Sequence, residues 1–283
     1  MRIAAVYDSD GKVFGTIHDN QFKKLLIDGA PVRDLRQVIA LVEKGPAALK
    51  YAAPVALDGV KLAAPVGPLT KNVMCVGKNY HDHAQEFARS GVDQSGDKQE
   101  SPSEPVVFTK ATSSLSDPFQ PISASSDPTH SVDYEGELGV VIARRCHQLT
   151  ESDDVRPYIL GYTCVNDFTA RDLQNKDSQW TRAKGFDTFC PVGPVVADGL
   201  DPWAGVPVET RVNGEVRQSG NTRDFIFSLD AVIRYISQIM TLEPGDLIAT
   251  GTPKGVGPVV AGDAVEVSIE GIGQLRNPIA NQP

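Results

Sequence analysis

DYEGELGVVIARR, residues 133–145, places two glutamates two positions apart, directly before a nearly unbroken apolar run. Side chains alternate sides along a strand, so Glu135 and Glu137 point to one face. Leu138, Val140, Val141 and Ile142 are the content of an interior strand rather than of an edge. Two readings of the pair are open. On a wet edge both carboxylates are simply hydrated. On a buried face they repel, and the arrangement is costly unless a cation neutralises it. The apolar run favours the buried face.

Outward from this stretch the chain reads mostly as strands: Val73 to Val76, Val106 to Thr109, Ile159 to Val165, Val192 to Val196, Val208 to Val212, Glu215 to Gln218, Asp246 to Thr250 and Ala264 to Ile269. Asn213 and Gly214 form a two-residue hairpin signal, and Pro244, Gly245 and Asp246 turn the chain before the next strand. One strong helix is expected from Leu229 to Met240, capped by Ser228, with Leu229, Val232, Ile233, Ile236, Ile239 and Met240 buried. At the start, Ile3 to Tyr7 and Val13 to Ile17 flank Asp10 and Gly11 as a hairpin, and Asp34 caps a short helix over Leu35 to Val42 that Gly45 stops. The following AAPVALDGVKLAAPVGPLT, rich in proline and glycine, favours turns and places a domain boundary near residue 70. The expected fold is mostly β (α+β), two packed sheets or a barrel-like roll over residues 71–283, with a small N-terminal α+β domain over residues 1–70. No internal repeat is visible.

At 283 residues the chain can bury a substantial core without a staple. Four scattered cysteines, Cys75, Cys146, Cys164 and Cys190, show no CxxC pair, which suits buried thiols in a reducing, cytoplasmic setting. No stretch approaches the roughly 20 apolar residues of a membrane helix, and MRIAAVYDSDGKVFG shows no long apolar core behind a basic flank, so neither membrane insertion nor export is expected. A formal charge of −9 with no basic run argues against nucleic acid. A small anion remains open to an acidic protein if a metal or a few local cations reverse the field inside the site.

The strand Ile159 to Val165 ends at Asn166 and Asp167, before a helical turn starting near Thr169. Alone, Asp167 reads as a helix cap. Joined to Glu135 and Glu137 it completes three oxygen ligands on rigid elements, a hard-cation set suited to Mg²⁺ or Mn²⁺ with room for water and substrate. Zinc would recruit His or Cys, and none lies at suitable spacing around these carboxylates. In CVGKNYHDHAQE, residues 75–86, His83 and Glu86 are three apart and share a helical face. Residues 90–105, SGVDQSGDKQESPSEP, are polar and aperiodic, either a solvated connection or a mobile active-site lid.

Four segments together resemble the fumarylacetoacetate hydrolase superfamily: GKNYHDHAQE (77–86), DYEGELGVVIARR, VNDFTARDLQ (165–174) with WTRAKGFDTFCPVGP (180–194), and LEPGDLIATGTPKGVG (242–257). The resemblance implies a mixed β-sandwich roll, usually a homodimer, that binds Mg²⁺ or Mn²⁺ and acts on 2-oxo acids. It implies Glu135, Glu137 and Asp167 as metal ligands, and His83 with Glu86 as an acid–base dyad on a lid. It further implies Lys184 as the catalytic lysine, and Arg171, Gln174, Gly251 and Thr252 as substrate-binding. Outside the pattern, Lys184 and Arg171 read as surface charges and Gly251, Thr252 and Pro253 as a tight turn. His81 and Asp82 match no role. Fumarylacetoacetases proper supply a further aspartate where Val76 and Gly77 stand here, which points to the acylpyruvate hydrolase and oxaloacetate decarboxylase branch.

A 2-oxo acid chelates a divalent ion through its carboxylate and 2-oxo oxygen, and the ion stabilises the enolate formed when the bond at carbon 3 breaks. Hydrolysis of a 2,4-diketo acid then needs His83 to activate water, with Glu86 orienting the imidazole. Decarboxylation of oxaloacetate needs no water. Isomerisation or hydration of an unsaturated 2-oxo diacid passes through a related dienolate and shares the motifs. An inactive 2-oxo-acid binding module is the reading from another class, and retention of His83, Glu86, Lys184 and all three carboxylates speaks against it.

Overall fold

The computed structural model describes residues 1–89, 102–125, 129 and 131–281. Most of the lid expected over 90–105, residues 90–101, lies outside the described residues.

The strand Gly136–Ile142 is buried along its whole length, as its apolar run requires. It pairs antiparallel with Ile159–Asn166 on one side and with Leu247–Ala249 on the other. From there the main sheet extends through Val73–Gly77 to Val106–Lys110 in one direction. In the other it passes through Cys190–Ala197 to the N-terminal strands Arg2–Asp8, Gly11–His18 and Gln21–Ile27. Arg2 opposite Ala197 and Ile3 opposite Val196 make these N-terminal strands continuous with the sheet that carries Glu137.

The first hairpin pairs Asp8 with Gly11, so its loop is Ser9 and Asp10, one residue earlier than expected. Its register follows from the two faces. Val6 opposite Val13 joins one core cluster, while Ala5 opposite Phe14 joins the other. A slip of one residue would invert both sets.

A five-stranded sheet packs across the first, in the order Ile122–Ser125, Gly273–Asn281, Ala264–Ile269, Pro207–Val212 and Glu215–Asn221. Asn213 and Gly214 close its hairpin with φ of 53° and 83°, as a type I′ turn demands. Between the sheets, Leu138, Val140 and Ile142 meet Val208, Val267, Ile269 and Leu275. The helix Leu229–Ile239 covers the same core, with Ser228 Oγ accepting from the Ala231 amide at 3.3 Å. Ile239, expected inside, is 57% exposed in the last turn, and Ser237 is buried in its stead. The helix Leu35–Glu43, capped by Asp34, closes the opposite face of the main sheet. A three-stranded sheet of Thr169–Ala170, Val132–Tyr134 and Gly257–Val259 completes a mostly β roll. Among the described residues no helix is long and apolar enough to cross a membrane.

Candidate active site

Val132–Tyr134 belongs to the three-stranded sheet and Gly136–Ile142 to the main one, so the chain changes sheets at Glu135. Glu135 therefore stands outside the strand, which begins at Gly136. Side chains hold this crossing in place of a ladder. The Glu135 amide donates to Asn166 Oδ1 at 2.9 Å, and the Gly136 amide to Gln218 Oε1 at 2.9 Å. The Asp167 amide donates back to the Glu135 carbonyl at 2.8 Å. These bonds bring the carboxylates of Glu135, Glu137 and Asp167 together: one oxygen from each lies within 4.8 Å of the others, and all three residues are buried.

Three cations face this cluster. Lys184 Nζ lies 2.9 Å from Glu135 Oε2 and 2.6 Å from Asp167 Oδ2. Lys110, fully buried, lies 2.6 Å from Asp167 Oδ1 and donates to the Phe168 carbonyl at 2.9 Å. Arg171 donates from Nη2 to Glu135 Oε1 at 2.7 Å and from Nε to Asp133 Oδ2 at 2.8 Å, and its Nη1 reaches Gln174 Oε1 at 2.5 Å. Burial pulls the Lys184 ammonium down, but Asp167 and Glu135 beside it outweigh that and hold it protonated. Burial also pushes Glu135 up, and Lys184 and Arg171 more than reverse it.

Glu137 differs. Among the described residues it forms no ion pair, and its Oε2 accepts only from the Gly251 amide, at 2.8 Å. Burial and the neighbouring Asp167 and Glu135 charges push its carboxyl well up. Among the described residues, four carboxylates, Asp133 included, thus lie beside the cations Lys110, Arg171 and Lys184, and Glu137 is the one that pairs with none of these three. Three converging hard oxygens with a surplus negative charge fit a divalent cation; the set can hold a metal ion.

Glu135 and Glu137 form the floor of a cleft of about 320 Å³, part of it open to solvent, with His83, Arg171, Gln174, Lys184, Phe108 and Trp180 in its walls, and Asp167 is buried beneath them. His83 is buried on the helix His81–Arg89, its Nδ1 3.5 Å from Glu86 Oε2. Glu86 also accepts from the Gly255 amide at 3.2 Å; the bond to His83 is the main influence holding its carboxyl down. His81 is exposed, and Asp82 pairs with Lys254 at the surface at 2.6 Å. Thr252 lines the cleft, but its hydroxyl donates to the Gly136 carbonyl and accepts from Gln218 Nε2. With the Gly251 amide on Glu137, that turn braces the carboxylates.

Sequence reasoning overlooked Lys110, Asp133, Gln218 and Asn79. Asp133 was within reach, because Asp133, Glu135 and Glu137 follow each other at strand spacing. Gln218 ties the Gly136 amide to Thr252 and to the Pro253 carbonyl, and Asn79 ties Phe227 to the Thr250 carbonyl. Neither has a local signal.

Residues 72–280 match the family described as fumarylacetoacetate (FAA) hydrolase C-terminal. An oxaloacetate tautomerase of Bacillus subtilis is 42% identical over 232 residues, 79% of this chain and 74% of that one. The mitochondrial oxaloacetate tautomerase of Bos taurus is 40% identical over 211 residues, 73% of this chain and 90% of that one. The solved structure of 2-hydroxyhepta-2,4-diene-1,7-dioate isomerase from Mycobacterium marinum aligns with a TM-score of 0.78 at 37% identity, covering 100% of this chain and 99% of that one.

Proposed function

The chain belongs to the fumarylacetoacetate hydrolase family, and we propose that it is an Mg²⁺- or Mn²⁺-dependent enzyme that acts on short 2-oxo acids through their enolates. Its first reaction on this reading is interconversion of the enol and keto forms of oxaloacetate, the activity named for two of its relatives. One observation carries the reading: three buried carboxylates converge, and two of them, Glu135 and Glu137, floor a cleft walled by His83, Lys184 and Arg171. When bound there, the ion supplies Lewis acidity to the carboxylate and 2-oxo oxygens of the substrate and lowers the cost of charge at carbon 3.

The protein's own groups then divide the work. Lys184, held protonated by Asp167 and Glu135, offers N–H donors to the oxygen that becomes negative. Arg171 and Gln174 present donors to the substrate carboxylate. His83 carries the proton between carbon 3 and the enol oxygen, and Glu86, kept ionised, orients the ring and favours its charged form.

A second reading, hydrolysis of a 2,4-diketo acid to pyruvate and a carboxylic acid, is supported by the same His83–Glu86 pair, since it can also take a proton from an attacking water. The test compares Mn²⁺- and Mg²⁺-dependent decay of the oxaloacetate enol absorbance with pyruvate release from acetylpyruvate and from oxaloacetate. Faster ketonisation without pyruvate release supports the first reading, and pyruvate from acetylpyruvate supports the second. No metal-dependent change in either substrate sinks both.

A further inference from the structure

The strands Val73–Gly77 and Val106–Lys110 place Cys75 opposite Phe108 and Gly77 opposite Val106, so Gly77 and Phe108 share a face. The Trp180 ring sits on that face. A Cβ at residue 77 would stand 2.9 Å from Trp180 Cζ3 and 3.6 Å from Phe108 Cε1, so the ring occupies the space that any side chain at 77 would need. Phe108 and Trp180 meet edge to face, centroids 5.1 Å apart and planes at 74°. The stack adjoins the chemistry directly. Lys184 Nζ lies 5.0 Å from the Phe108 centroid while touching Glu135 and Asp167. The first turn of the Lys184 helix is anchored by the Lys184 amide donating to the Trp180 carbonyl at 3.0 Å, a backbone bond that does not depend on the indole.

We propose that Trp180, seated on Gly77 and braced by Phe108, is a specificity-determining residue: it limits the chain beyond carbon 3, so that the site accepts short 2-oxo acids and excludes those with an aryl or long acyl group. This rests on the 2-oxo-acid reading above and names its substrate class. A 2-oxo acid whose head reaches the carboxylate floor has its remaining atoms beside these two rings, because the cleft lined by Gly77, Phe108 and Trp180 is the one floored by Glu135 and Glu137. A rigid aromatic edge rejects excess bulk more sharply than a flexible aliphatic wall would.

The test measures dissociation constants of oxalate and of phenylpyruvate for the Mn²⁺-loaded protein by titration calorimetry. Oxalate fits the head-group position and reports on the floor; phenylpyruvate adds a ring that must pass Trp180. In Trp180→Ala the affinity of phenylpyruvate relative to oxalate rises by about tenfold or more. Trp180→Phe, which keeps an aromatic ring on Gly77 and conserves packing, gives a smaller rise in the same direction. General loosening of the cleft would weaken both ligands together and leave the ratio unmoved, and a ratio unmoved in both variants overturns the proposal. Failure of oxalate to bind the unsubstituted Mn²⁺-loaded protein overturns instead the functional reading beneath it.

Discussion

On the N-terminal hairpins, Asp8 receives Lys24 at 2.9 Å and Arg33 at 3.3 Å; beneath the cleft, Asp167 receives Lys184 and Lys110, each at 2.6 Å. The contacts are alike and their surroundings are not. The Lys24 and Arg33 side chains are 29% and 36% exposed, whereas Lys110 and Asp167 are wholly enclosed. Water screens the first cluster, so each of its pairs contributes at most about 1 kcal/mol. Taking the second out of water costs several kcal/mol per ion, which mutual attraction only partly repays, and an apolar core of equal volume would fold as well. A fold gains little from such a cluster, so its presence points to chemistry, and Glu137, the carboxylate without an ion pair among the described residues, points to a cation from outside.

Breaking the buried cluster should have the largest effect. Lys184→Met removes the cation that Glu135 and Asp167 share in a dry site, leaving each with a single partner, Arg171 and Lys110, and should cost about 3–5 kcal/mol of stability together with turnover, read by calorimetry and by the enol assay. A loss no greater than that of Lys24→Ala would erase the contrast. Metal comes next. Mn²⁺ at a hundred times its dissociation constant should stabilise the protein by about 2.7 kcal/mol. Glu137→Gln should abolish that gain without lowering the melting temperature of the metal-free protein, because a buried unmatched carboxylate is removed. Undiminished Mn²⁺ stabilisation of Glu137→Gln would refute the ligand assignment.

Gly136→Ala probes the crossing between sheets. Its Cβ would fall 2.0 Å from Thr210 Oγ1, so the substitution should cost about 1–3 kcal/mol, and less in a Thr210→Ala background. Equal cost in both backgrounds would mean that the second sheet does not press on this turn. The smallest effect belongs to the exposed cluster: Lys24→Ala should change stability by less than about 1 kcal/mol and leave turnover unaltered, so a larger change would show the hairpin to be coupled to the site.

Legibility in the sequence followed the range of the interactions. Strand Gly136–Ile142, the Asn213–Gly214 turn and both helix caps depend on neighbours a few residues away, and their signals are local. The final strand Gly273–Asn281 escaped because Asn277 takes a core position between Leu275 and Ile279, where its amide donates to the Asp117 and Gln120 carbonyls at 3.1 and 2.8 Å. A polar residue at an inward position and Pro278 beside it hide the alternation. Lys110 reads as a polar end to an apolar strand until Asp167, far along the chain, is brought against it.

What the sequence determined by itself was the type of the elements with a clear local pattern and the pairing of Glu135 with Glu137 on one face, because alternation, capping and the Glu-x-Glu spacing are written in adjacent residues. The tertiary structure alone decided which charges are matched and what bounds the cleft. Lys110, Arg171 and Lys184 reach the carboxylates from separate elements, Gln218 arrives from the opposite sheet, and Trp180 fills the space that Gly77 leaves. Whether a buried charge is neutralised, and how much room a substrate has, are properties of what packs around a residue in three dimensions, and no local pattern carries them.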